Sequence, residues 1–284
     1  MARNRTANGE GEVTMTGSDP EGPALSNDDL DVAVSDDGQV VNATIDRPDK
    51  RNALNEAVMT GLVDVLRAAD EGPTKVVVVE SSGDVFCAGA DFEELPLGGT
   101  AQEYREGFSR LSRVMLALRE TSAVTVAAVD GDCLAGGLGL AAVCDLVVAS
   151  ESAAFATPEV NVGLFPVQAM VPIMRTVPEK RGLKLLFTGE RIDAGEAHEM
   201  GLATDVHADE DFEAGVDELV ADLASSSPVM LAMGKEAYYE QRDRDFASAL
   251  SYAKEVVALM AMSEDTAEGI EAFMADRDPE WAGR

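Results

Sequence analysis

The stretch Val129–Asp145, reading VDGDCLAGGLGLAAVCD, decides how the chain is read. It starts where an apolar β-branched run, Val124–Val129, stops at Asp130-Gly131. A loop of small residues follows, and a new apolar segment opens at Ala135-Gly136-Gly137. Strand, glycine turn and helix start, in that order, leave several backbone N–H groups without intrahelical partners near one point. Glycine lets another atom come close because it has no side chain. Such a point suits an anion, or an oxygen that becomes anionic during a reaction.

A second loop of the same kind lies upstream. Cys87-Ala88-Gly89-Ala90-Asp91 comes after the buried-strand run Lys75–Glu80, KVVVVE. One N–H from each loop on a single oxygen would make an oxyanion hole. Taken singly, each loop is explained as well by tight packing of a helix on a strand. The downstream loop also carries Gly137-x-Gly139-x-x-Ala142, a pattern suited to a dinucleotide pyrophosphate. The acidic residue that should follow about 20 positions later is missing, Asp145 coming too early, so a nicotinamide-dependent oxidoreductase ranks lower. A third segment, Thr157–Gly163 (TPEVNVG), places Glu159 among Val160, Val162, Leu164 and Phe165. Burial there would raise its pKa toward the range of a general base. Among 53 acidic residues, an exposed glutamate is the ordinary alternative.

Outward from these segments the chain alternates strands and helices. Asp31–Ser35 and Gln39–Ile45 flank Asp36-Asp37-Gly38 as a hairpin. Leu54, Val58, Leu62, Val65 and Leu66 recur at helical spacing over Ala53–Ala69, and Gln102–Leu118 is a second amphipathic helix. Leu146–Ala149 reads as a strand, Ser152–Thr157 as a short one, and Met200–Val206 holds one more. Helices dominate from about residue 170: Phe212–Ala224, Val229–Gln241, Phe246–Met262 and Thr266–Met274. The expected division is a flexible tail over 1–27, an α/β core over 28–208 and a helical region over 209–284. The one tryptophan, Trp281, is expected to pack on the helical end or on a neighbouring subunit.

Composition narrows the function. A hydrophobic content of 46% supports a large core. No apolar run is long enough to span a bilayer, and the polar N-terminus has no signal-peptide core, so a cytoplasmic protein is expected. The formal charge of −31 is spread along the chain, as suits a solvated acidic surface in high salt, and disfavours nucleic-acid binding. Cys87, Cys133 and Cys144 form no C-x-x-C pair and are expected as buried free thiols. The two histidines, His198 and His207, sit among charged residues and are expected at the surface, which leaves little material for a histidine triad or zinc site. No metal is expected. Proton transfer must rest on carboxylates, tyrosines or water.

Four ordered motifs then carry a resemblance: Arg47–Asn55 (RPDKRNALN), Phe86–Asp91 (FCAGAD), Gly131–Asp145 and Phe155–Glu159 (FATPE). Leu186–Glu190 (LFTGE), with Ile192, Ala194, Ala197, Gly201 and Leu202 after it, continues the match. From about residue 30 the chain resembles the enoyl-CoA hydratase/isomerase (crotonase) family. The resemblance implies a spiral of ββα units with a helical C-terminal region that builds trimers, often paired into hexamers. It implies an acyl-CoA thioester as ligand, with coenzyme A part of the substrate and no separate cofactor. The backbone N–H groups of Ala90 and Gly136 would hold the thioester oxygen, and Glu159 would move the proton. Lys50, Arg51, Ala53 and Ala88 would lie along the CoA nucleotide, with Asp91 and Gly137 also at the substrate.

One departure stands out. Hydratases of this family hold water between two glutamates; one matches Glu159, and the other would fall at position 139, which is glycine. One carboxylate suits a shift of the double bond between the 3,4 and 2,3 positions, whereas hydration is the family's commoner activity; the two stand level. Asn161, Gln168, Asp91 and Glu93 are candidate helpers for a water, and Gly139 could instead widen the acyl pocket. The alternative to an enzyme is a protein of this fold that binds acyl-CoA with little turnover.

Overall fold

The computed structural model describes residues 25–94 and 98–284. β1 (Leu30–Val34) and β2 (Val40–Ile45) form the expected antiparallel hairpin. α1 (Glu56–Glu71) follows, its N-terminus capped by the Asn55 side chain, which accepts from the Val58 N–H. β3 (Val76–Ser81), α2 (Ala101–Glu120), β4 (Val124–Val129), β5 (Asp132–Leu134) and α3 (Gly136–Val143) come next. Then follow β6 (Leu146–Ser150), β7 (Ala154–Ala156), α4 (Met170–Thr176), α5 (Glu179–Thr188), β8 (Arg191–Asp193), α6 (Ala194–Glu199) and β9 (Asp205–His207). Four helices close the chain: α7 (Phe212–Ala224), α8 (Pro228–Gln241), α9 (Phe246–Met260) and α10 (Glu264–Ala275).

Among the described residues the strands make a six-stranded sheet, ordered β1-β2-β3-β4-β6-β9, and a three-stranded sheet, β5-β7-β8. From β2 to β9 every pairing in the large sheet is parallel. Strands covered on both faces read as continuous apolar runs, and β3 and β4 do. Alternate residues serve two cores. Val77, Val79, Ala127 and Val129 join the core under α1 and α2, while Val76, Val78, Val126 and Ala128 pack against Phe212 and Val216 of α7. Thus α7, inside the segment expected as a helical region over 209–284, covers a face of the main sheet. The expected tail lies outside the described residues up to 24. Its last residues are placed: Asn27 pairs with Leu30, and its amide donates to the Ala57 carbonyl.

Two features depart from the sequence reading. β5 and β8 are three-residue strands inside stretches read as a glycine loop and as helical chain. His207 is half-buried, its ring against Gly215 of α7, because β9 lies at the sheet edge that α7 crosses. The three cysteines are free and buried, and burial pushes the Cys87 and Cys144 thiols up to about 12. The Trp281 indole N–H donates to the Ser225 carbonyl and its ring lies against Gly269 of α10. Among the described residues, no helix is long and apolar enough to cross a membrane.

Candidate active site

In a parallel sheet, functional loops collect at the carboxyl ends of the strands. Here the loops after β2, β3 and β4 are stitched together there. The Cys87 N–H donates to the Asp132 carbonyl (3.1 Å) and the Leu134 N–H to the Cys87 carbonyl (2.8 Å). On the other side the Leu54 N–H donates to the Gly89 carbonyl (2.7 Å) and the Asp91 N–H to the Leu54 carbonyl (3.0 Å). This pattern skips Ala90. Its N–H, and that of Gly136 at the start of α3, donate no hydrogen bond among the described residues.

The backbone keeps these two donors side by side. Ala135 holds φ +54° and ψ −125°, a conformation rare for a residue with a Cβ. Its N–H is fixed on the Ala156 carbonyl (2.8 Å). Gly89 sits at φ +100°, and a Cβ there would lie 2.7 Å from the Ala135 Cβ and 3.2 Å from the Gly136 nitrogen. Only glycine allows the loops to meet so closely. A Cβ built on Gly136 would stand 3.7 Å from the Ala90 nitrogen, so the two N–H groups adjoin.

Both residues line a cavity of about 780 Å³ with Ala88, Asp91 and Glu159. Its walls are largely apolar, with Leu54, Phe108, Leu111, Phe165 and Val167 among them. Glu159 comes from the helical turn Pro158–Val162 after β7, anchored by the buried Thr157 hydroxyl on the Leu185 carbonyl (3.0 Å). Glu159 is half-buried, and its Oε2 is fully buried without a hydrogen-bond partner among the described residues. Burial raises its pKa above the ordinary carboxylate value, against a smaller lowering by a hydrogen bond from its own backbone N–H.

The other carboxylates of the wall are occupied. Asp91 receives Arg47 Nη2 at 2.9 Å and the Glu93 N–H at 3.0 Å. Burial alone would raise its pKa, but those bonds and the Arg47 charge hold it below the ordinary value. Glu94 accepts the Glu56 N–H at the start of α1 (2.8 Å). Of the candidate helpers, Gln168 lines the cavity, but its amide N–H groups are given to the Phe108 carbonyl and the Ser112 hydroxyl. Glu93 is paired with Lys50, and Asn161 is exposed near Gly189. Lys50 and Arg51 lie outside the cavity wall, exposed and held by Glu93 and Asp132. Ala53 also lies outside the wall; its carbonyl accepts from Arg47, while the Ala88 N–H donates to the Arg51 carbonyl (3.0 Å).

Two glycines of α3 do not reach the cavity wall. A Cβ on Gly137 would lie 2.6–2.7 Å from Cys87 atoms, so this position packs the helix on the loop. A Cβ on Gly139 would lie 2.7 Å from the Met115 Cε and 2.8 Å from the Ala169 Cα. The expectation that Gly139 widens the pocket is therefore corrected: Met115 and Ala169 fill the space. Neither glycine lines the cavity, and the Gly139 N–H is given to the Ala135 carbonyl (3.2 Å), which disfavours the dinucleotide reading.

Sequence reasoning missed Arg47 as an organiser. It bridges Asp29 (3.2 Å), Asp91 and the Ala53 carbonyl. It also missed Asn52, fully buried at φ +52°, whose amide donates to the Ser82 and Val85 carbonyls. Their place in RPDKRNALN was the available signal. Tyr104 and Phe108, cavity residues on α2, carried none apart from ordinary amphipathic spacing.

Residues 36–284 match the family described as Enoyl-CoA hydratase/isomerase. The chain is similar to the rat (Rattus norvegicus) mitochondrial enoyl-CoA hydratase domain-containing protein 3, 38% identical over 85% of this chain and 81% of the relative. It is also similar to the 2,3-dehydroadipyl-CoA hydratase of Escherichia coli K12, 32% identical over 89% of this chain and 99% of the relative. Among solved structures it resembles a Mycobacterium smegmatis enoyl-CoA hydratase with a TM-score of 0.86 and 34% identity, over 90% of this chain and 99% of that one. Fold, loop geometry and these likenesses agree: the chain belongs to the enoyl-CoA hydratase/isomerase family, with the crotonase fold.

Proposed function

We propose that the cavity binds an acyl-CoA thioester and that Glu159 shifts its double bond from the 3,4 to the 2,3 position. The thioester oxygen sits between the Ala90 and Gly136 N–H groups, which stabilise the enolate as negative charge moves onto it. Glu159 takes the proton from C2 and returns it to C4, so one carboxylate serves as base and then as acid. The observation that carries this reading is the buried, unpartnered Glu159 Oε2 in a wall whose other carboxylates are taken. Lys50 and Arg51 exchange Glu93 and Asp132 for the CoA phosphates, where cationic donors are worth most.

Hydration of a 2-enoyl-CoA is the second reading, favoured by the hydratase names of the relatives. It would need a group to orient the water opposite Glu159. Gln168 Oε1 is the one free acceptor among the helpers considered on the wall, because the amide N–H groups are committed. Exposed apolar side chains on and beside α9 and α10, including Phe246 (81%), Met262 (82%) and Phe273 (87%), support assembly into a trimer or hexamer. The net charge of −31 supports work in concentrated salt.

The test supplies 3-enoyl-CoA and 2-enoyl-CoA in molar salt and follows both products. The expected result is 2-enoyl-CoA from the first and little 3-hydroxyacyl-CoA from the second, with kcat reduced about 10²–10⁴-fold in Glu159→Gln. Hydration as the faster reaction would install the second reading. Tight acyl-CoA binding without turnover of either would make the protein a binder, and an unchanged rate in Glu159→Gln would remove Glu159 from the mechanism.

A further inference from the structure

We propose that a second cavity, behind the α2–α3–α4 wall, binds a small polyvalent oxyanion, a phosphate ester or a polycarboxylate. The cavity holds about 340 Å³ and lies between the C-terminal halves of α2 and α3, α4 and the end of α8. That is the low end of the size range of small-molecule sites, about 300–1,000 Å³. Met115 and Ala169, packed at Gly139, stand between it and the acyl-CoA cavity.

Three arginines line it: Arg119, Arg175 and Arg242. The chain has 53 acidic residues against 22 basic ones, and most of its described cations hold a carboxylate within reach. These three do not: among the described residues none forms an ion pair. In so negative a molecule, a cluster of unpaired arginines is a local reversal of the field and draws anions to one place.

The guanidinium groups are also held in position. Arg119 lies over the Tyr239 ring, 4.9 Å from its centroid, and Arg242 over the Tyr238 ring at 5.6 Å. Arg242 donates to the Arg175 carbonyl (3.0 Å), and Arg175 to the Val171 carbonyl (3.2 Å). Each guanidinium has five N–H donors, and among the described residues most of these make no hydrogen bond. The carboxylate in this cavity, Asp145, does not neutralise them. Its oxygens accept Lys235 Nζ (2.7 Å), the Tyr239 hydroxyl (2.8 Å) and the Thr125 N–H and hydroxyl. A set of oriented planar forks without a built-in partner matches an oxyanion with several oxygens better than a single carboxylate.

The test is calorimetric titration of the full chain with inorganic pyrophosphate and, separately, with citrate, in potassium chloride of fixed concentration. Saturable binding of at least one is expected, and the stronger of the two identifies phosphate or carboxylate as the preferred group. Affinity should fall at least tenfold in Arg175→Gln and vanish in the double variant Arg119→Gln/Arg175→Gln. Arg175→Lys, which keeps the charge and loses the fork, should fall between. Arg175 is exposed and its guanidinium contacts one backbone carbonyl, so that single variant reports even if the double variant melts early. The proposal is overturned by no binding of either anion to the native chain, or by equal affinity in Arg175→Gln. It is also overturned if Arg175→Gln lowers the oligomer mass in sedimentation without a binding loss, because a neighbouring copy's carboxylates would then occupy the site.

Discussion

Two parts of the wall around the 780 Å³ cavity are built in opposite ways. On one part, groups that could bond are left open: the Ala90 and Gly136 N–H groups and Glu159 Oε2. On the other, the carboxylates and the Gln168 amide N–H groups are tied down and the space behind the wall is filled. Asp91 belongs to Arg47, Glu94 to the start of α1, the Gln168 amide N–H groups to α2, and the space beside Gly139 to Met115 and Ala169. Unmet donors and acceptors cost free energy when buried, so a fold tolerates them where a ligand will meet them. The contrast separates open groups from tied ones more sharply than residue type does, since glutamate and glycine occur on both sides.

The strongest way to break the contrast is to force a working group into the filled part. Gly139→Glu restores the residue type of a two-glutamate hydratase. The Cβ of that side chain would meet the Ala169 Cα, which is backbone and cannot swing aside. The expected result is no gain in hydration and a destabilisation of more than about 3 kcal/mol, with Tm lower by about 10 °C. Thermal melts monitored by circular dichroism, with a hydration assay beside them, decide it. A well-folded variant that hydrates 2-enoyl-CoA faster than the native chain would mean that α4 moves aside and the filled part is not fixed.

The second test removes one tie. Asp91→Asn leaves Arg47 with Asp29 as its remaining carboxylate, and the Arg47–Asp91 contact is almost fully buried. A loss of about 3 kcal/mol is expected at neutral pH, measured by urea unfolding. Because the folded pKa of Asp91 is depressed, this contribution is present above the unfolded carboxylate value and is lost as pH falls through the folded one. The gap between native and variant should therefore close in acid. A gap independent of pH would point to packing, not charge.

The contrast is half visible in the sequence. The strands Val124–Val129 and Leu146–Ala149, the four closing helices and the loops with Ala90, Gly136 and Glu159 follow from apolar periodicity and from ordered motifs. β5 and β8 escaped because three residues are too few to show an alternation. Gly139 was legible as a missing carboxylate but not as a packing point. Ala169 reaches it from another helix, and no local pattern reports a contact of that kind. The Arg47–Asp91 pair escaped for the same reason: the two residues lie far apart in sequence, and the motif that puts Asp91 on the cavity wall does not show its partner.

The smallest effect is the most diagnostic, because it carries the opposite sign. Burial raises the folded pKa of Glu159 above its unfolded value. Between those two values the folded chain binds more protons than the unfolded one, so stability falls as pH rises through the window. Above it, the ionised Glu159 is a standing cost of keeping an open group in the wall. Glu159→Gln should then melt slightly higher than the native chain at neutral pH, by a degree or two in the manner of active-site replacements that exchange activity for stability, on the order of 1 kcal/mol or less. The gain should vanish below the ordinary carboxylate range, where the native residue is also neutral. The acid limb of kcat/KM should sit above that range as well, since the base must be ionised to act. Asp91→Asn and Glu159→Gln thus move stability in opposite directions with pH. Melting both variants across the same acid-to-neutral series tests whether one carboxylate is scaffold and the other is held ready for substrate; parallel curves would erase the distinction.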